Sequence, residues 1–123
     1  MEFRRKLLVL DKAHALFLDV NRAVPGIRRA HHQPLKTQLV KTALSIGSNI
    51  AEGRKKKSEK EFVRYLNIAL GSSGELEYQL KAATDGEALP RAVGHELGTR
   101  TEEISKMLQG LIKKIEADIG EDS

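Results

Sequence analysis

The chain has no cysteine, no tryptophan and only three prolines. Without Cys there is no disulfide, no thiolate metal site and no cysteine nucleophile. That suits a reducing compartment, and a cytoplasmic location is the expectation. Aromatic residues make up only 4% of the chain, so the core has to come from Leu, Ile, Val and Ala. No apolar run approaches the roughly 20 residues of a membrane-spanning helix. The opening MEFRRKLLVLDKAHALFLDV is basic and then apolar, but Asp11, Lys12, His14 and Asp19 interrupt it, which argues against a signal peptide. No membrane partner is expected.

What is present is charge. The chain of 123 residues is 31% charged and 40% apolar, a balance that reads as one globular domain over residues 1–123. The net charge of +4 conceals an asymmetry. Residues 1–60 carry 14 Lys and Arg against 5 Asp and Glu, while residues 61–123 carry 7 against 12. A basic half and an acidic half favour an anionic partner or self-association between unlike surfaces.

Apolar spacing predicts four helices, roughly over 8–24, 35–53, 58–84 and 89–118. The first carries the stripe Leu10, Ala13, Phe17, Val20, Val24 and stops at Pro25-Gly26. A polar loop, PGIRRAHHQP, leads to Pro34, which suits a helix start. The second helix has one stripe at Leu35, Leu39, Ala43, Ile46 and Ile50, and a second at Val40, Leu44, Gly47 and Ala51. The two together cover about half the circumference, more than a monomer's surface helix needs. With Val63 and Leu70 of the third helix, the second stripe is expected to meet another chain. Ser58 and Glu61 form a capping-box pattern at the start of the third helix. Its seam is Phe62, Leu66, Ala69, Ser73, Leu76, Leu80, Ala83, and Gly71 and Gly74 beside it suggest close approach of a neighbouring helix. The last helix has the seam Leu97, Ile104, Leu108, Leu111, Ile115, flanked by Met107 and Ile112. Short connections and the lack of alternating patterns predict an all-α, antiparallel up-down-up-down four-helix bundle. That topology gathers Arg4, Arg5 and Lys6 beside Arg54 to Lys57 at one pole, with Lys113 and Lys114 nearby.

The run SxxSNIAEGxxxxSxxEFxxxLxxAxGSxxELExQL is matched from Ser45 through Ser48-Asn49-Ile50-Ala51-Glu52-Gly53, Ser58, Glu61-Phe62, Leu66, Ala69 and Gly71-Ser72 to Glu75-Leu76-Glu77 and Gln79-Leu80. It resembles the small bacterial four-helix-bundle proteins encoded in intervening sequences of large-subunit ribosomal RNA genes, and MLxGLI at Met107 to Ile112 fits their last helix. The resemblance implies a homopentamer, five bundles in a ring around a channel. It also implies a similar relative, the accessory protein of diversity-generating retroelements, which binds nucleic acid and partners a reverse transcriptase. Gly47 departs from a Pro common in the family, which puts a fixed bend of the second helix in doubt.

Arg54, Lys55, Lys56 and Lys57, with Lys60, Arg64, Arg4, Arg5 and Lys6, are the candidates for holding RNA or DNA phosphates. The bland reading of this run is a solvated hinge. Phe62 and Tyr65 are assigned to packing, so base stacking has little support. Asn49, Glu52, Glu75 and Glu77 lie near buried stripes and suggest a polar network between helices or subunits. No Glu-x-x-His occurs, and the nearest pattern is Asp11-x-x-His14, so no metal and no cofactor are expected. His31, His32, His14 and His95 read as solvated or isolated. No nucleophile motif or phosphate loop is present, and the expectation is a binding or scaffolding protein rather than an enzyme.

Overall fold

A computed structural model describes residues 2–122, leaving Met1 and Ser123 outside the described residues. Four helices account for nearly all of it: α1 (Glu2–Ala23), α2 (Gln33–Arg54), α3 (Glu59–Asp85) and α4 (Arg91–Asp122). Among the described residues there is no strand. α3 packs extensively on α2 and on α4, while α1 closes the assembly more lightly against α2 and α4. α1 lies diagonally opposite α3, and α2 opposite α4.

The seam read along α3 is the one the fold buries: Phe62, Leu66, Ala69, Ser73, Leu76, Leu80 and Ala83. On α1 the fold chooses a different stripe, burying Val9, Ala13, Leu16, Val20 and Val24. Leu10 and Phe17 are only partly buried and turn toward α2. Both stripes have three- and four-residue spacing, so periodicity alone cannot choose between them. A fully buried Leu or Ile contributes about 1.5–3 kcal/mol, and Leu16 takes the place that Phe17 was expected to fill.

Backbone bonds shape each connection, and buried apolar residues plug the first and the last. After α1, Val24–Gly26 makes a 3-10 turn in which Ile27 N–H donates to the Val24 carbonyl at 2.9 Å. Ile27 is buried, and the Gln33 amide donates to the carbonyls of Ile27 (3.2 Å) and Arg29 (3.1 Å). A second 3-10 turn, Ala30–His32, leads into α2. α2 runs unbroken through Gly47. At the α3 start, Ser58 Oγ accepts from the Glu61 N–H at 3.1 Å. Glu61 is drawn instead to Arg64, with Nε donating to Oε2 at 3.0 Å, so only half of the expected capping box forms. Beyond α3, Ala88 and Leu89 are buried and both donate to the Ala83 carbonyl, at 2.8 and 3.2 Å. Pro90 then precedes α4, whose first turn closes with Gly94 N–H on the Pro90 carbonyl.

Two glycines carry close helix contacts. A Cβ at Gly53 would stand 2.7 Å from Tyr65 Cβ and 2.8 Å from Phe62 Cδ1, and one at Gly94 would run into Thr84. Gly71 and Gly74 differ: they are exposed, and a Cβ on either meets nothing within 4 Å, so the neighbouring helix expected there is not supplied by this chain.

The buried hydroxyls find partners, while the buried Gln79 Oε1 has none among the described residues. Ser73 and Ser105 lie 2.6 Å apart, and Ser105 donates to Glu77 Oε2 at 2.8 Å. Ser73 Oγ also reaches the Leu70 carbonyl of its own helix at 2.8 Å, and either hydroxyl can donate in the Ser73–Ser105 bond. Thr101 satisfies itself on the Leu97 carbonyl at 2.7 Å, which fills the gap between Leu97 and Ile104 in the α4 seam.

Candidate nucleic-acid interface

The chain leaves α2 through Arg54 and turns on two backbone bonds, Lys55 N–H to the Glu52 carbonyl and Lys56 N–H to the Gly53 carbonyl. Buried Gly53 lets α3 approach closely, so the short connection presents its lysines outward. The beginning of α1 reaches the same place. Lys6 Nζ lies 3.4 Å from Glu59 Oε1 and 4.8 Å from the centre of the Phe62 ring. Lys60 and Arg64 line a shallow cleft there with Glu116 of α4.

The nine cations divide into two groups. Lys6, Lys56 and Arg64 are engaged. Lys56 Nζ is 3.4 Å from Glu52 Oε2 and 5.2 Å from the Tyr65 ring centre, and Arg64 lies 4.7 Å from the same ring. The Glu52 hydrogen bond holds Lys56 above the ordinary lysine range, helped by Tyr65, and Glu61 does the same for Arg64. The other six, Arg4, Arg5, Arg54, Lys55, Lys57 and Lys60, are exposed and have no side-chain partner among the described residues. Tyr65 is half-buried and covered by two cations, so it offers no open ring to a base.

The other expected groupings are rearranged. Asn49 donates to the Ser45 carbonyl of its own helix at 2.8 Å, and Glu52 takes Lys56. Glu75 accepts from Thr42 across the α2–α3 face at 3.3 Å, whereas Glu77 accepts from Ser105 across the α3–α4 face. These four residues therefore do not form one network. Glu75 and Glu77 lie on different flanks of α3, a division set by the 100° step between successive residues. Ser105 is the member that sequence reading missed; it stands between apolar Ile104 and Lys106 with no motif to mark it.

The expected intersubunit stripe also splits. Leu44, Gly47 and Ala51 line a shallow apolar groove with Leu10 and Phe17 of α1, and Leu44 is 50% exposed. Val40 is partly buried beside them. Val63 is 8% exposed, covered by its own chain, and Leu70 is partly buried against the core. Lys113 is exposed at the rim of an α3–α4 cleft that Asn67 also lines, and Lys114 pairs with Asp118 at 3.4 Å. Among the described residues no group of three or more His, Asp or Glu forms a metal-ligating cluster, and no helix is long and apolar enough to cross a membrane. His14 is exposed in the α1–α2 groove, and His95 lines the α3–α4 cleft.

Basic charge is not confined to one end. Arg28 and Arg29 are exposed before the start of α2, while Arg54 ends it and Lys55 to Lys57 follow. The signal that could have shown this is the lack of any Asp or Glu between Val20 and Ala51.

Among curated proteins, none matches the chain. A solved structure from Bacteroides thetaiotaomicron VPI-5482, described as a protein with unknown function from the S23 ribosomal protein family, is similar throughout. It superposes with a TM-score of 0.82 at 26% identity, covering 89% of this chain and 98% of that one. The description 23S rRNA-intervening sequence protein matches residues 5–110. With that match over most of its length, the chain belongs to the 23S rRNA-intervening sequence protein family.

Proposed function

We propose that this protein is a non-enzymatic, cytoplasmic binding protein that holds RNA or DNA by its phosphates at the α2–α3 end. The observation that carries the reading is the set of six cations there without side-chain partners: Arg4, Arg5, Arg54, Lys55, Lys57 and Lys60. Stability alone does not call for six uncompensated charges in one place, whereas each can neutralise a phosphate and release a counterion. The covered Tyr65 ring favours backbone contact over base readout, hence sequence-tolerant binding.

The helices run antiparallel, up-down-up-down. Support comes from pairs whose numbers rise on one helix and fall on the next: Lys12 with Glu103 and Asp19 with Arg100, then Ser73 with Ser105 and Thr84 beside Gly94. The family resemblance supports a homopentameric ring.

The test is fluorescence anisotropy of labelled single-stranded and duplex RNA and DNA between about 50 and 200 mM salt. Log affinity should fall linearly with log salt, with a slope of about 0.9 per phosphate contacted on a duplex. Lys55, Lys57 and Lys60 changed together to Glu should weaken binding and flatten that slope. Affinity unaffected by this triple change would remove the proposal.

A second reading, a protein-interaction scaffold with no nucleic-acid ligand, is favoured by the apolar α1–α2 groove and its half-exposed Leu44. There the free lysines serve solubility or dock on acidic protein, whether another copy or a polymerase-type partner. Stoichiometric recovery of one protein after nuclease treatment would favour it.

A further inference from the structure

The cations at the two ends of α2 stand in opposite electrostatic settings. At its C-terminus, Arg54 and the lysines after it complement the negative end of the helix dipole, and Glu59 and Glu61 follow in the first turn of α3. Local structure explains part of that charge. Before α2 begins, Arg28 and Arg29 stand at the positive end of the same dipole, with no acidic residue in the first turn. From Val20 to Ala51 the chain has Arg22, Arg28, Arg29, Lys36 and Lys41 and no Asp or Glu. Folding is not helped by like charges gathered against a like dipole, and such a conflict between charge and local structure is expected where function requires it.

The surrounding acids leave these charges in place. Asp19 on α1 is held by Arg22 and Arg100, at 2.8 and 2.6 Å. Asp85 at the end of α3 is held by Lys81 at 2.7 Å. Glu87 lines the cleft beside Gly26 together with Arg91 and forms no ion pair with Arg28 or Arg29. Arg28 and Arg29 have no side-chain partner among the described residues. Their backbone is nonetheless fixed, because Ile27 is buried and Gln33 holds the carbonyls of Ile27 and Arg29. The platform is rigid and the charges on it are free.

We propose that this α1–α2 connection is a second phosphate-contacting surface, so that one chain bridges two nucleic-acid segments at opposite ends of α2. This rests on the phosphate-binding reading of the α2–α3 end. The 22 residues of α2 separate the two cation clusters by about 33 Å at 1.5 Å per residue. That exceeds the Debye length of about 10 Å at 0.1 M salt, so the two ends act as independent surfaces. An anionic bilayer would also attract arginine, but membrane-surface binding uses apolar side chains beside the cations. The exposed large apolar residues, Phe3, Leu8, Leu44, Ile68 and Tyr78, all lie outside this connection. The observations favour nucleic acid.

The test uses the full chain and two copies of one short RNA duplex, one bead-bound and one fluorescent. Beads carrying the first duplex should capture the second only when protein is added. The Arg28→Glu/Arg29→Glu variant should still bind a single duplex by anisotropy, with a shallower salt slope, and should lose the bridged capture. Arg28→Ala/Arg29→Ala, which adds no new charge, should reduce capture in the same direction. Full bridging by the glutamate variant overturns the proposal, and so does a requirement for these arginines that shows only with phosphatidylserine vesicles. A native chain that binds one duplex yet never links two overturns bridging alone. A native chain that binds no duplex removes the reading of the α2–α3 end as well.

Discussion

Gly53 shows how one residue's lack of a side chain positions a surface. α3 crosses so closely that Tyr65 Cβ and Phe62 Cδ1 occupy the space a methyl group would need. Gly53→Ala should therefore cost about 1–3 kcal/mol through forced repacking, read as a lowered thermal midpoint. Gly74→Ala is the matched control. Its site is open, so alanine's better helix propensity should stabilise by roughly 0.5–1 kcal/mol. Destabilisation by Gly74→Ala would show that a second molecule covers this face. In the sequence the close helix approach is expected at Gly74, with Gly71, and Gly53 reads only as the end of the second helix, because what decides between them is where a neighbouring helix runs. The cations raise the same difficulty. All nine were legible as charges, yet whether each is engaged depends on partners such as Glu59, 53 residues from Lys6.

Among the elements, α3 was the most legible and α1 the least. The α3 seam is one continuous stripe, and Ser58 announced where the helix begins. α1 carries two apolar stripes side by side, and only the position of α2 decides that Leu16 enters the core while Phe17 lines the groove. Beside its buried stripe, α1 is tied to α4 by two ion pairs, Lys12 with Glu103 at 2.8 Å and Asp19 with Arg100 at 2.6 Å. The hydrogen bond from Arg100, with that from Arg22, holds the Asp19 carboxyl below its usual range, and Lys12 does the same for Glu103. Depressed carboxylates bind fewer protons folded than unfolded, so their stabilisation is full above the ordinary carboxylate range. It is lost as pH falls through the lowered values. Thermal midpoints should hold steady down to about pH 5 and decline below it, and Asp19→Asn should flatten part of that decline. An Asp19→Asn chain with the native pH profile would remove this account. Added salt should weaken the effect, because the Lys12–Glu103 pair is exposed and the Asp19–Arg100 pair is only partly buried.

At the scale of the whole molecule, an apolar groove and two cationic ends remain after the core is complete. Leu44 is half exposed among Leu10, Phe17, Gly47 and Ala51, and a Cβ at Gly47 would make only ordinary contacts, 3.9 Å from Ala13 and Leu10. Leu44→Glu should therefore leave the fold intact by circular dichroism and shift the native assembly to a smaller species in multi-angle light scattering. An unmodified chain that is already a stable monomer would contradict that expectation. The doubled stripe on α2 made this groove legible in the sequence. Val63 misled, because both faces of a helix beside a core can look alike until its neighbours are placed.

The lighter seating of α1 bears on the order in which the chain folds. α2 with α3, and α3 with α4, are partners adjacent in sequence, whereas Arg100 must find Asp19 across 81 residues. Closing that long loop is entropically the most demanding step, so the two hairpins should assemble first and α1 should dock on α4 late. The α1–α4 ion pairs would then be absent from the transition state. In stopped-flow measurements Arg100→Ala should speed unfolding and leave the refolding rate nearly unchanged.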